Sequence, residues 1–179
     1  VGADTAAVIL AEAPDQADQV TLIVDVGTNA ELVLGDRQRL LAASSPTGPA
    51  FQGAQISGGQ RAAPGAIERM RIDRTSGLAR FKVIGCPLWS DAPGFAAATA
   101  GTGVTGICGS GIVEAIAEMY LAGLLTTDGI IDGRHAGRVT GIVAEGRTFS
   151  FRLNETVTIT QNDVRAIQLA KAALYAGAR

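Results

Sequence analysis

Histidine, cysteine and aromatic side chains are scarce in this chain. His135 is the sole histidine, Cys86 and Cys108 are the two cysteines, and aromatics make up 4% of the residues. With one histidine and no C-x-x-C spacing, a zinc or iron–sulfur site built wholly from this sequence is not expected. Two cysteines could form one disulfide, yet nothing else points to secretion, so a reducing, cytoplasmic setting is the expectation. Lys/Arg-rich blocks are absent and the formal net charge is −2. That argues against nucleic acid or an anionic membrane as the main partner. No apolar run reaches the length of a membrane span, and no charged-then-apolar leader opens the sequence. It starts Val1-Gly2-Ala3-Asp4 rather than with methionine, as a processed protein or a fragment would.

What is abundant is apolar side chain. Of the 179 residues, 47% are hydrophobic and 18% charged, enough for a real core in one domain or two closely packed lobes. The most informative stretch is Val20 to Gly35. The apolar run Leu22-Ile23-Val24 ends in Asp25, a Gly27-Thr28-Asn29 turn follows, and Leu32-Val33-Leu34 runs back. This pattern predicts a β-hairpin whose turn presents a carboxylate, a hydroxyl, an amide and backbone N–H groups. Such a set suits a phosphate with its metal ion: Asp25 to hold Mg²⁺ or its water, the turn amides to face phosphate oxygens. An ordinary hairpin with a polar turn is the alternative.

Around this hairpin the chain reads as a series of short elements. Residues 4–12 predict a helix capped by Asp4, with Val8, Ile9 and Leu10 buried. Arg39 to Ala43 predicts a third strand leading into Ser44-Ser45. Gly48-Pro49 then fits a helix start, where proline's missing N–H costs nothing and a positive helix end could meet an anion. A connection with no ligand fits the same residues. Arg69 to Ile84 is a clear hairpin signal with alternating charges, most simply a solvated face. Arg61 before it is read as an exposed or loop-bracing residue, with a phosphate contact as the less common use.

Gly101, Gly103 and Gly106 formally match G-x-G-x-x-G, but no convincing strand precedes them and the helix opens later, so they are read as a decoy. Gly109-Ser110-Gly111 is better placed, at the start of a helix with Ile112, Ile116, Met119 and Tyr120 at helical spacing. Small residues there allow close approach of a ligand, and Ser110 could cap the helix or donate to a bound group. Cys108 reads as a buried filler, since no base can be assigned to it. His135 reads as a surface residue. Residues 141–160 predict a further β section. Thr160 and Asp163 then form a capping signature for a last helix, with Val164, Ile167, Ala170 and Leu174 on one face and Lys171 on the opposite flank, a direction toward the ligand being the less common alternative.

Five motifs in order, VGADTAA at 1–7, LIVDVGTNAELVLG at 22–35, SSPTGPAFQGAQI at 44–56, TGICGSGIVEAIAEMYLAGL at 105–124 and ITQNDVRAIQLAKAALYAG at 159–177, closely resemble the C-terminal region of the reductive activators of corrinoid proteins. The resemblance implies an α/β fold of the RNase H-like, actin-like ATPase (ASKHA) type, with residues 1–179 forming its second half or lobe. It implies a protein with an N-terminal [2Fe–2S] ferredoxin domain, outside this chain, that couples ATP hydrolysis to reduction of Co(II) in a corrinoid partner. The first phosphate motif and the last adenosine motif of the family are not in this sequence. Asp25-Val26-Gly27-Thr28-Asn29 then resembles the second phosphate motif, with Asp25 catalytic and holding Mg²⁺. Gly27, Thr28, Asn29, Gly48, Pro49, Gly109, Ser110 and Gly111 are the implied nucleotide-binding residues. Ala30 stands where the family usually has Gly, and Gln52 where it has Glu; both put catalytic competence in question. A homodimer is left open. A non-catalytic ASKHA-like module for protein docking or conformational signalling is the alternative function, and the isolated chain is expected to hydrolyse nothing.

Overall fold

The structure, a computed structural model, describes residues 2–137 and 141–179. Val1, first residue of the opening Val-Gly-Ala-Asp motif, lies outside them. The chain divides into two compact units, Val1–Pro49 with Leu169–Arg179, and Ala50–Gln168.

The first unit is a three-stranded antiparallel sheet with helices. Helix α1 (Ala3–Glu12) precedes strands β1 (Thr21–Val26), β2 (Ala30–Gly35) and β3 (Leu40–Ser45), in the order β1-β2-β3. The three-residue turn fixes the register: Val26 pairs with Ala30, and every pair back to Thr21 and Gly35 follows. Ile23 and Val33 on one face are buried, as are Ala30 and Leu32 on the other. The last turns of helix α4 (Gln161–Ala178) approach that second face, where a side chain on Gly177 would collide with Ser45 and Leu32. Leu22, Val24, Val26, Leu34 and Leu41 on the same face are exposed. In α1 only Thr5 is fully buried and Leu10 is 83% exposed, so the expected burial of Leu10 is overturned. Asp4 does not cap this helix either; Gly2 is at the cap, and Asp4 Oδ1 accepts the Thr5 N–H at 2.9 Å from within the first turn.

The second unit contains two more small sheets. Strand β4 (Ala66–Ile72) lies between antiparallel β5 (Ala79–Val83) and the short parallel β6 (Gly106–Ile107). Helix α2 (Phe95–Ala98) occupies the stretch before the G-x-G-x-x-G match, so no strand leads into those glycines. Helix α3 (Gly109–Leu121) packs along β4 with Ile112, Ala115 and Met119 buried. Strands β7 (Ile142–Glu145), β8 (Thr148–Arg152) and β9 (Thr158–Ile159) form the third sheet.

The start of α4 follows the capping box read from sequence. Asp163 N–H donates to Thr160 Oγ1 at 3.3 Å, and Thr160 N–H donates back to Asp163 Oδ2 at 2.7 Å. The other Asp163 oxygen accepts the Ser57 N–H at 2.7 Å, a longer-range anchor. Gln161 adds a second one, accepting the Ile131 N–H at 2.9 Å and donating to Gly129 O at 2.7 Å. Val164, Ile167 and Ala170 are buried and Lys171 is exposed.

The β4–β5 hairpin forms where expected, but its charges do more than meet solvent. β6 is too short to cover the whole edge of β4, and two α3 carboxylates take its place. Glu114 Oε2 accepts the Met70 N–H at 2.6 Å and Glu118 Oε2 the Ile72 N–H at 3.0 Å. A spacing of four residues brings both to one helix face, in step with alternate strand amides. Arg69 Nε lies 3.3 Å from Glu114, and Arg71 is paired with the same carboxylate.

Candidate functional site

The predicted turn is built from sequence-local pieces and then locked by two residues from beyond β3. Gly27 N–H donates to Asn29 O at 2.8 Å, which closes the loop between β1 and β2. Thr47, just past β3, is buried, and its hydroxyl lies 2.9 Å from Gly27 O and 3.0 Å from Thr28 O, within donating distance of both. Gly48 N–H donates to Thr28 O at 2.8 Å. Asp25, Gly27, Thr28, Asn29 and Gly48 are therefore gathered at one end of the sheet, with turn carbonyls engaged by Thr47 and Gly48. Gly48 has φ +72°, a conformation that favours glycine.

Asp25, the penultimate residue of β1, is half-buried. Its Oδ2 accepts a hydrogen bond from the hydroxyl of Thr5 at 3.2 Å; Thr5 is fully buried on α1. Directly across the ladder stands Glu31, whose Oε1 accepts from Ser44 Oγ at 3.1 Å, and Ser44 is in turn Glu31's register partner on β3. One face of the sheet thus carries Asp25, Glu31 and Ser44 in a row, with the Thr5 hydroxyl above it. Glu31, Thr5 and Thr47 were missed in the sequence. The first was available from hairpin register, since a three-residue turn places Asp25 opposite Glu31. For Thr47 the signal was a hydroxyl inside Pro-Thr-Gly; for Thr5 there was none.

Two expectations need correction here. Pro49 opens only a four-residue 3₁₀ turn, Pro49–Gln52, so no α-helix end is directed from that position. The reason is local: Gly53 follows with φ +78° and donates its N–H to Ala50 O, which ends the turn. Ser110 does not cap α3. Cys108 is the N-cap residue, and Ser110 Oγ donates instead to Glu68 O at 3.3 Å. Ala30 causes no conflict at its position: it is the first residue of β2, buried, and not among the residues with positive φ.

Gly109, Ser110 and Gly111 belong to the second unit. The space beside the two glycines is filled by protein: a side chain on Gly109 would collide with the Phe51 carbonyl, and one on Gly111 with the Ile67 carbonyl. Close packing of α3 onto β4 is a sufficient reason for both. Cys108 is buried and its Sγ donates to Ile67 O at 3.3 Å. His135 is half-exposed, and no cluster of three or more His, Cys, Asp or Glu side chains occurs among the described residues.

The model of a family described as the C-terminal domain of RACo, the ASKHA domain, matches residues 19–179. The chain belongs to that family. Its α/β elements are those of an ASKHA domain, and the structure of a reductive activator for corrinoid, iron–sulfur protein superposes with a TM-score of 0.82 at 32% identity, over 100% of this chain and 27% of that one. The corrinoid activation enzyme RamQ of Eubacterium limosum is 36% identical over 190 residues, covering 99% of this chain and 29% of the relative. A shorter match, 42% over 67 residues, joins 37% of this chain to 12% of the [Co(II) methylated amine-specific corrinoid protein] reductase of Methanosarcina barkeri. The chain thus spans under a third of the length of these relatives. Among its described residues no helix is long and apolar enough to cross a membrane.

Proposed function

We propose that this chain is the nucleotide-binding part, the second lobe of an ASKHA domain, of a cytoplasmic ATP-dependent reductive activator. The whole protein would drive electrons from a [2Fe–2S] cluster to Co(II) of a corrinoid methyl-transfer protein. Membership of the RACo C-terminal family and the names of the relatives support the role. The observation that carries the site is the gathering of Asp25, Glu31 and the Gly27–Asn29 turn at one end of one sheet.

The donor set fits Mg²⁺, which binds through one or two carboxylates plus substrate phosphates and keeps several waters. Asp25 and Glu31 would hold that ion, and Gly27, Thr28, Asn29 and Gly48 would line the phosphates. When bound, the ion would neutralise phosphate charge. The residues of the chain contribute order: Thr5 fixes the Asp25 carboxylate, and Thr47 holds the turn through its carbonyls so that it meets a ligand already shaped. The chain's residues do not fit the iron–sulfur cluster. Such a cluster takes four thiolates, whereas this chain has Cys86 and Cys108, both buried. The cluster is accordingly assigned to a domain outside these residues.

Calorimetry of the full-length protein with Mg-ATP tests the proposal. Binding that is lost in Asp25→Ala is expected; no binding, or binding indifferent to that change, would overturn it in favour of a docking module. The isolated chain is expected to bind ATP weakly or not at all.

A further inference from the structure

The outer face of the β4–β5 hairpin sets like charge against like. Arg71 is the register partner of Arg80, and Arg69 of Lys82. Like charges directly opposite destabilise a sheet, and folding does not call for them: the inner face, with Met70, Ile72, Phe81 and Val83 buried, already supplies the apolar pattern. Any polar residue would serve on the outside.

Compensation inside the molecule is uneven. Arg69 and Arg71 are paired with Glu114 on α3. Arg80 is paired with Asp91 at 3.7 Å, both side chains about half exposed, and its charge also acts on Asp73. Lys82 and the turn residue Arg74 make no ion pair among the described residues. The chain's one tryptophan lies against both of these β5 cations: Trp89 has the Arg80 guanidinium 4.9 Å and the Lys82 ammonium 5.4 Å from its ring centre. Beside them opens a groove of about 1050 Å³, lined by Arg71, Arg74, Arg80 and Trp89 and also by the carboxylates Asp73, Asp91 and Glu118.

We propose that this face docks the acidic surface of a protein partner, with Arg80, Lys82 and Arg74 as the pairing charges and Trp89 as the apolar anchor. Arginine and tryptophan are the side chains that most often dominate protein interfaces, and here an indole is held in place by the cations that would steer the encounter. The chain's formal net charge of −2 and its lack of Lys/Arg-rich blocks favour a protein partner over nucleic acid. Docking at this face is independent of nucleotide binding and of the reaction the whole protein performs.

Poly-L-glutamate is the probe and the emission of Trp89 the signal. The wild-type chain is expected to show a saturable change, weakened roughly tenfold between low and moderate salt as a charge-steered contact should be. Lys82→Glu and Arg80→Glu are expected to weaken it to a similar extent, the double substitution to abolish it, and Arg80→Lys with Lys82→Arg to restore it. Arg147→Glu, the same charge change at an exposed position elsewhere, is expected to leave it unaltered. Circular dichroism checks that each variant is folded. Equal losses from Arg147→Glu and Lys82→Glu, or duplex DNA binding as tightly as the polypeptide, would overturn the proposal.

Discussion

Asp25 and Glu31 are cross-strand partners on one sheet face, two carboxylates set directly opposite with the Thr5 and Ser44 hydroxyls as their flanking donors. Glu31 is 8% exposed. Opposed like charges in a ladder work against the fold by about 0.2–1 kcal/mol, and a cation between them would reverse that sign. Glu31→Gln keeps an acceptor for Ser44 but removes the charge. In metal-free buffer its stability to urea is expected to rise by up to about 1 kcal/mol. In the full-length protein its affinity for Mg-ATP is expected to fall by about 10- to 100-fold, the range for lost metal-site support. If stability and affinity move in the same direction, the pair does not act as a cation seat.

The glycines of the central segment separate into two kinds. A side chain at Gly109 would strike the Phe51 carbonyl, whereas one at Gly101 would meet nothing. Gly109→Ala is therefore expected to destabilise by about 1–3 kcal/mol, the usual cost of overpacking. Gly101→Ala should lie within about 0.5 kcal/mol of wild type. Chemical denaturation of the two variants side by side checks this, and equal effects would refute it.

Acid should loosen two carboxylate anchors. Arg134's side chain and backbone N–H hold the Asp132 carboxyl down from 3.8 to about 2. At Glu114 burial pushes the carboxyl up, but the Arg71 hydrogen bond, the Met70 N–H and the nearby guanidinium charges outweigh it and hold it below 4.5. Both groups are depressed on folding, so their contribution is complete above the unfolded values and disappears as pH falls through the folded ones. For Asp132 the window runs from about 4 down to about 2. The melting temperature of Asp132→Asn is expected to fall less steeply than that of wild type across that window; parallel curves would refute the assignment.

Helix α1 ends on an alanine where glycine would fit better. Ala13 has φ +45° and donates its N–H to Ile9 O at 2.9 Å, a left-handed cap immediately before Pro14. A left-handed L-residue costs about 1–2 kcal/mol, against which glycine's extra freedom in the unfolded chain must be set. Ala13→Gly is expected to stabilise by about 0.5–1 kcal/mol in thermal or urea unfolding, and a loss of stability would count against the cap.

What could be read from the sequence was local. The Gly27–Asn29 turn dictates its own hairpin, and the Thr160/Asp163 capping box dictates its helix start, because each needs only residues a few positions apart. The Pro49 turn was misjudged because a first-turn proline suits a 3₁₀ turn as well as an α-helix, and the nearby glycine decides between them. Leu10 was misjudged because three consecutive apolar residues cannot all point to one side of a helix. Thr47 on the turn carbonyls, Thr5 on Asp25, and Glu114 on the Met70 amide join residues 19–44 positions apart. No periodicity reports such bonds; they exist only once the chain has folded back.

The two carboxylates of α3 that bind β4 amides have a consequence for how the molecule opens. The Met70 and Ile72 N–H groups are held across separations of 44 and 46 residues by a helix rather than by a neighbouring strand. Their protection from hydrogen exchange thus depends on α3 staying docked, so hairpin and helix should open as one cooperative unit. Two amide protons in a strand would then report the departure of a helix.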